Sequence, residues 1–163
     1  MWSLIIGLGL AVAAPEMIPE EDLELIGRAA PTFDLHTLDG GNFKLEDYRG
    51  KLVVLSFWAS WCSPCRYELP ALNQLSKQRS DVVFIGVNVD REPGPAKKFL
   101  KGISVDFPII MDNNSEVLGE YNVMSMPTLF LIDKQGIVAY SKTGFSREKG
   151  LAELEAAISK ADK

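Results

Sequence analysis

Residues 51–78 carry the strongest structural pattern of this chain and read KLVVLSFWASWCSPCRYELPALNQLSKQ. Lys51 to Trp58 form a continuous apolar run rich in Val and Leu, which is typical of a strand buried on both faces. Pro64 to Gln78 carry leucines at helical spacing, and a second apolar run, Val82 to Val89, follows them. A strand, a helix and a strand in this order predict a βαβ unit, so the sheet is expected to be partly parallel.

Further elements are predicted on both sides of this unit. Alternating residues around Asp39-Gly40-Gly41 indicate an N-terminal hairpin. Beyond the unit we expect helices and strands, in chain order, at Ala96 to Leu100, Phe107 to Met111, Ser115 to Tyr121, Thr128 to Ile132, Ile137 to Lys142 and Ser146 to Lys160. Pro93-Gly94-Pro95 leads into the first of these helices, which is expected to be opened by proline, and Ser115 and Ser146 are the expected N-caps of two others. The pattern therefore predicts the α/β class with a mixed sheet.

Composition places the chain among ordinary globular proteins. Its 163 residues are 47% hydrophobic and 24% charged, which suits one domain with a substantial core. The net charge of −5 argues against nucleic acid or an anionic membrane surface as the main partner. The two cysteines lie in one tetrapeptide, which excludes a scaffold stapled by many disulfides.

The N-terminal residues differ in character from the rest of the chain. Trp2 to Val12 carry no charge, yet this run is shorter than the ~20 apolar residues of a membrane span. Ala11-Val12-Ala13 has the small-x-small pattern of a signal-peptidase site, although no Lys or Arg precedes the run, and a misassigned start is the alternative. We expect a signal peptide or short membrane anchor at residues 1–14, an acidic linker at 15–29 and one folded domain at 30–163, located outside the cytoplasm.

The motif Trp61-Cys62-Ser63-Pro64-Cys65 stands where the first buried strand meets the helix. A cysteine at a helix N-terminus faces unpaired N–H groups and the positive end of the helix dipole, so a thiolate of Cys62 is expected to be stabilised. The thiolate is the species that attacks disulfides. Cys65 lies one turn inside the helix. We therefore predict that Cys62 is the exposed, attacking cysteine and that Cys65 is the more buried, resolving one.

Other uses of the cysteine pair fit the sequence less well. In the loop-entropy model a staple across so short a loop gains only about 2 kcal/mol, against roughly 4.7 kcal/mol for a 100-residue loop. A zinc site needs more ligands, and the chain has no second CxxC and a single histidine, His36. His36 lies in the first hairpin and is expected to be a surface residue. Redox chemistry is therefore the predicted use of the pair, with no metal site.

Residues 56–70, SFWASWCSPCRYELP, resemble the active-site block of the thioredoxin superfamily and are most similar to its TlpA/ResA-like (DsbE-like) thiol–disulfide oxidoreductases. The likeness runs from Ala30 to the C-terminus and includes Gly86-Val87-Asn88-Val89-Asp90 and Met126-Pro127-Thr128. It implies a thioredoxin fold, with a central mixed β-sheet flanked by helices, an N-terminal β-hairpin and a central insertion from Pro93 to Tyr121.

The resemblance also implies substrate-binding residues. Pro127 matches the family's cis-proline, which faces the CxxC and leaves the backbone of Met126 to pair with an extended substrate. An ordinary trans proline at the start of a strand is the alternative. Trp61, Ser63 and Pro64 form the rim around the attacking cysteine. We expect all five residues to contact the substrate.

Glu68 follows Cys65 by three residues, so both lie on one face of the helix. A carboxylate there can exchange a proton with the Cys65 thiol, and ResA-like proteins have an acidic residue at this place. Thioredoxin has a buried Asp where this chain has Ser56, so proton transfer by that route is not expected here. We predict that Glu68 is catalytic, with a solvated helix glutamate as the alternative.

The residues and the resemblance together predict an extracytoplasmic oxidoreductase that reduces disulfides in exported proteins, such as apocytochrome c, through Cys62 and Cys65. Its cofactor would be this redox-active disulfide alone. Its partners would be protein disulfides and a membrane thiol-reductant carrier, and it is expected to be a monomer that binds no nucleic acid. Two alternatives stay open: a peroxiredoxin-like peroxidase, suggested by Ala30-Pro31-Thr32-Phe33, and a copper-binding module, suggested by Met124 and Met126.

Overall fold

The computed structural model describes residues 25–163. Its strands are β1 (Asp34–His36), β2 (Asn42–Lys44), β3 (Leu52–Trp58), β4 (Val82–Asn88), β5 (Ile109–Met111), β6 (Thr128–Ile132) and β7 (Val138–Thr143). Its α-helices are α1 (Cys65–Gln78), α2 (Pro93–Leu100), α3 (Glu116–Glu120) and α4 (Ala152–Ala161). A short 3₁₀ helix at Leu45–Tyr48 lies between β2 and β3.

Five strands form the central sheet in the order β5-β4-β3-β6-β7. β3 is parallel to β4 and β4 to β5, whereas β6 runs antiparallel to both β3 and β7. The helix α1 connects the parallel strands β3 and β4, which is the predicted βαβ unit. β1 and β2 form the separate N-terminal hairpin. The α/β class, the mixed sheet and the hairpin are therefore confirmed.

The central sheet separates two apolar layers. All seven residues of β3 are buried, so β3 is the central strand that its apolar sequence predicts. On one face the leucines of α1 pack with Leu154 and Ile158 of α4. On the other face the ring of Phe57 lies 5.4 Å from that of Tyr121 and 5.8 Å from that of Phe130, measured between centroids. The helix that begins at Cys65 is thus anchored by one of the two apolar layers.

The chain pairs with the sheet before the predicted domain boundary at Ala30. The N–H of Gly27 donates to the carbonyl of Val138 at 2.8 Å, and the N–H of Val138 donates to the carbonyl of Arg28 at 2.9 Å. The predicted linker at 15–29 is therefore wrong in its last residues, because pairing through backbone groups leaves no pattern in the side chains. The predicted segment 1–14 and most of the linker lie outside the described residues.

Two helices begin at other residues than predicted. α2 is opened by proline, as predicted, but it begins at Pro93, three residues before the predicted range of Ala96 to Leu100. α4 begins at Ala152 instead of Ser146. The N–H of Gly150, which has a φ of 55°, donates to the carbonyl of Ser146 in a turn ahead of the helix. This left-handed glycine interrupts helical geometry, so Ser146 is not the N-cap.

The start of α3 is capped by Asp112 instead of Ser115. Ser115 has a φ of 58°, and its side chain makes no capping hydrogen bond. The buried carboxylate of Asp112 accepts the backbone N–H groups of Glu116 at 3.0 Å and of Leu118 at 2.8 Å. Both donors belong to the first turn, where no partner within the helix exists, so Asp112 determines where α3 begins.

Candidate active site

The two cysteines lie between β3 and α1 and are joined by a disulfide bond. β3 ends at Trp58, and α1 begins at Cys65. The backbone N–H of Cys65, which belongs to the unpaired donors at the start of the helix, donates to Sγ of Cys62 at 3.3 Å. The helix N-terminus therefore directs a hydrogen-bond donor at the sulfur that is predicted to attack, which is the arrangement that favours a thiolate.

The cysteine pair is less accessible than predicted. Only 4% of Cys62 is exposed, and Cys65 is fully buried. The prediction that Cys62 is an exposed residue is therefore wrong, although Cys65 is the more buried of the two, as expected. Trp61 is 70% exposed, and Ser63 and Pro64 are exposed as well. These three residues of the predicted rim form the accessible surface beside the disulfide.

Asp90 holds the loop that leads from β3 to the cysteines. Its buried carboxylate accepts the backbone N–H of Ser60 at 3.1 Å and the Ser60 hydroxyl at 2.9 Å. Nδ2 of Asn88 donates to the same carboxylate at 2.9 Å. The resemblance includes Asn88 and Asp90 without giving either a role. A structural role for Asn88 and Asp90 could have been inferred from the sequence, because two polar residues stand at the carboxyl end of an apolar strand.

Glu68 is buried one turn beyond Cys65 in α1. The residue is 1% exposed, so the alternative of a solvated glutamate is wrong. The hydroxyl of Ser56 in β3 donates to Oε1 of Glu68 at 2.6 Å, while Oε2 is buried without a hydrogen-bond partner among residues 25–163. Burial raises the pKa of Glu68 to about 7, and this outweighs the hydrogen bond from Ser56 and the positive charge of Lys142, which both lower the pKa.

The contact between Ser56 and Glu68 shows which residue supplies the buried acid of the site. The sequence has no acidic residue at the strand position where thioredoxin has a buried Asp, because residue 56 is Ser. In the structure Glu68 reaches from α1 to that position and places its carboxyl group against the Ser56 hydroxyl. The buried acid of the site is therefore supplied by the helix. A group whose pKa lies near neutrality exchanges protons efficiently at neutral pH, so the site can store a proton one helical turn from Cys65.

Met126 and Pro127 lie at the same end of the sheet as the cysteines. The peptide bond between them is cis, as predicted. β6 begins at the next residue, Thr128, which pairs with Phe57 near the end of β3. Met126 packs against the apolar cluster that contains both cysteines. The fold therefore brings the two residues of the cis bond to the predicted site.

The described residues offer neither a cluster of metal ligands nor a membrane-spanning helix. Within residues 25–163 no group of three or more His, Cys, Asp or Glu side chains is arranged to hold a metal ion. No helix of this range is long and apolar enough to cross a bilayer. The groups that the fold brings together are thus a disulfide, a buried carboxyl group and an exposed rim around them.

A family model described as the AhpC/TSA family matches residues 26–141, which is more than half of the chain. The chain belongs to the AhpC/TSA family. A relative, the thiol-disulfide oxidoreductase ResA of Geobacillus thermodenitrificans, is 39% identical over 143 residues, which cover 86% of this chain and 82% of the relative. This AhpC/TSA family member is therefore a thiol–disulfide oxidoreductase, and its predicted kinship with ResA-like proteins is confirmed.

Solved structures of similar proteins confirm the fold of this family member. A candidate thiol:disulfide interchange protein DsbE from Chlorobium tepidum is 38% identical, with a TM-score of 0.78, and the match covers 83% of this chain and 96% of that one. The exposed lipoprotein thioredoxin Etrx1 from Streptococcus pneumoniae is 32% identical, with a TM-score of 0.68, and the match covers 79% of this chain and 99% of that one. The fold is thioredoxin-like, as the active-site block predicts.

Proposed function

We propose that this oxidoreductase reduces disulfides in exported proteins, such as apocytochrome c, outside the cytoplasm. The observation that carries the proposal is the disulfide at the start of α1 with the buried carboxyl group of Glu68 one turn away. The disulfide provides a two-electron couple. The carboxyl group provides a proton acceptor and donor that works near neutral pH.

The electrostatics of the site favour electron flow toward the substrate. A disulfide couple is a strong oxidant when its reduced form is stabilised, and it is a better reductant when that form is not. A carboxylate at Glu68 repels a thiolate at Cys65 and so raises the free energy of the reduced, ionised pair. We therefore expect reduced Cys62 and Cys65 to pass their electrons to partner disulfides.

The proposed reaction begins with a thiolate at Cys62. It attacks one sulfur of the substrate disulfide, so a mixed disulfide forms and the other substrate sulfur leaves as a thiolate. Glu68 accepts the proton of the Cys65 thiol, and the Cys65 thiolate attacks Sγ of Cys62. The second substrate sulfur then leaves, and the Cys62–Cys65 disulfide forms. The substrate has gained two electrons, and the two leaving thiolates take up protons from Glu68 and from water.

The substrate is proposed to bind as an extended segment across the cis bond. Met126 lies at the sheet end beside the cysteines, where its backbone can add one short strand-like contact to a peptide. The exposed indole of Trp61 offers the peptide an apolar surface near the disulfide, next to Ser63 and Pro64. Pro127, the second residue of the cis bond, is the fifth residue proposed to contact the substrate.

An extracytoplasmic location is supported by the relatives and by the N-terminal pattern. One structural relative is described as an exposed lipoprotein, and residues 1–14 have the character of a signal peptide or short anchor. A membrane carrier of thiol reducing equivalents would restore the dithiol after each turnover. The proposed cycle uses the Cys62–Cys65 disulfide as its only cofactor and a single copy of the chain.

The equilibrium reduction potential of Cys62–Cys65 against glutathione tests the direction of electron flow. We expect a value close to that of thioredoxin, about −270 mV, and a value close to that of DsbA, about −120 mV, would overturn the reductase role. A peptide with an oxidised C-x-x-C-H haem-attachment motif tests the substrate class. The reduced protein should reduce this peptide faster than it reduces insulin.

A peroxidase is the second candidate, and the AhpC/TSA family match is the observation in its favour. Peroxiredoxins place their reactive cysteine after a loop that contains Pro and Thr, whereas here both cysteines form one CxxC disulfide. Hydrogen peroxide and a protein disulfide, offered separately to the reduced protein, distinguish the two functions. Rapid peroxide consumption without protein-disulfide reduction would favour the peroxidase. Copper titration of the reduced protein tests the metal-binding alternative in the same way.

A further inference from the structure

Lys142 lies in the same row of the sheet as the residue that contacts Glu68. Ser56 of β3 pairs with Leu129 of β6, and Leu129 pairs with Lys142 of β7. Directly paired residues project from the same face of a sheet, so Lys142 lies on the α1 face, two strand spacings or about 10 Å from Ser56. The carboxyl group of Glu68 lies above this row, because its Oε1 accepts the hydroxyl of Ser56 at 2.6 Å.

The ammonium group of Lys142 is held in place by α4. It forms an ion pair with Oε2 of Glu153, and the Lys142 side chain is only 22% exposed. The hydroxyl of Tyr140 donates to the same Oε2 at 3.2 Å. Lys142 is therefore a partly buried positive charge that is held by a surface carboxylate, in the same row of the sheet as the residue that contacts Glu68.

We propose that Lys142 is a positioning residue of the exchange reaction, whose charge sets the pH range in which Glu68 releases and recovers its proton. The proposal rests on the role of Glu68 in the proposed function. Without the cation, the Glu68 carboxylate would keep only the hydrogen bond from Ser56, so Glu68 would hold its proton to higher pH. Neutralising Glu153 should act in the opposite direction, because Lys142 would then be less compensated.

The other titratable groups around Glu68 support this assignment. Burial and the charge of Glu153 raise the pKa of Tyr140 to about 12, so this phenol is neutral. The hydrogen bond and charge of Lys142 lower the pKa of Glu153, and the charge of Lys142 also lowers that of Glu68. Cys65 does not titrate while it is disulfide-bonded. Among these groups, Lys142 of β7 acts on Glu68 directly, and Glu153 of α4 acts through its ion pair with Lys142.

Proton binding by Glu68 can be measured in the oxidised protein from the infrared band of its protonated carboxyl group. We expect Lys142→Met to raise the pH midpoint of this carboxyl titration by about half a pH unit or more, and Glu153→Gln to lower it. Lys134→Met is the matched control, because Lys134 is a lysine that pairs with Asp162 at 2.8 Å near the end of α4. This control should leave the midpoint unchanged. Glu153→Gln tests the same charge if Lys142→Met does not fold.

The pH profile of disulfide reduction provides a second readout. The profile of Lys142→Met should shift in the same direction as its infrared midpoint, and this shift should vanish when Glu68→Gln is added. Equal midpoints in Lys142→Met and Lys134→Met would overturn the proposal, as would a profile shift that persists in the Glu68→Gln background. The infrared midpoint is measured without substrate, so an unmoved midpoint is distinguishable from a failure of the proposed function, in which no disulfide is reduced.

Discussion

Replacing Glu68 by Gln should change how the stability of the oxidised protein depends on pH. Burial raises the pKa of Glu68 in the folded protein from 4.5 to about 7, whereas a solvated side chain in the unfolded chain keeps its ordinary value. Between these two values the folded state binds more protons than the unfolded state, so the free energy of unfolding falls as the pH rises. At 1.36 kcal/mol per pH unit, this amounts to about 3 kcal/mol.

The Glu68→Gln variant has no charge to bury. Its amide oxygen can still accept the hydroxyl of Ser56. Below about pH 4.5 both proteins carry a neutral side chain at this position, and above about pH 7 only the wild type must bury an anion. The difference in unfolding free energy, variant minus wild type, should therefore rise by about 3 kcal/mol across this range.

Urea denaturation of both oxidised proteins at several pH values measures this difference. Subtraction cancels the groups that the two proteins share, such as Asp81, whose pKa the hydrogen bond from Arg79 lowers to about 2. Glu148→Gln removes an exposed glutamate and serves as the matched control, with a flat difference expected. A flat difference for Glu68→Gln as well, or one that falls as the pH rises, would show that burial does not keep Glu68 protonated.

Three further substitutions test other parts of the structure. Cys65→Ser should trap a mixed disulfide between Cys62 and the substrate on non-reducing gels, and an adduct that forms only with Cys62→Ser would reverse the two roles. Asp112→Ala should lower the free energy of unfolding by about 1–2 kcal/mol, because the start of α3 loses its cap; unchanged urea denaturation would contradict this. Gly86→Ala would place a Cβ 2.6 Å from Cδ1 of Ile109, so the melting temperature should fall by the equivalent of about 1–3 kcal/mol, and an unaltered one would show that the isoleucine gives way freely.

The elements with strong local patterns could be predicted from the sequence. The apolar run at 51–58 contains β3, which is buried at all seven of its residues, and the turn around Gly40 joins the two strands of the N-terminal hairpin. The ends of helices were less predictable, because a cap is supplied by whichever side chain lies nearest in space. Asp112 caps α3 from three residues ahead of Ser115, and a left-handed Gly150 delays α4.

The candidate site divides in the same way. Cys62 and Cys65 could be located from the sequence, because a strand, a CxxC and a helix are neighbours along the chain. The hydrogen bond from Ser60 to Asp90 joins residues separated by 30 positions, and no local sequence pattern predicts such a contact. The burial of Cys62 was also unpredictable, because it depends on how the surrounding loop packs over the sulfur.

The amino-acid sequence is enough to place a cysteine pair at the N-terminus of a helix, where local backbone geometry alone provides the donors that favour a thiolate. The protonation of Glu68, by contrast, depends on the packing of distant elements. Its carboxyl group lies beneath α1 against Ser56 of β3, with Lys142 of β7 in the same row of the sheet. Desolvation and charge act through space, and these groups come from elements far apart in the chain, so the pKa of Glu68 is a property of the fold.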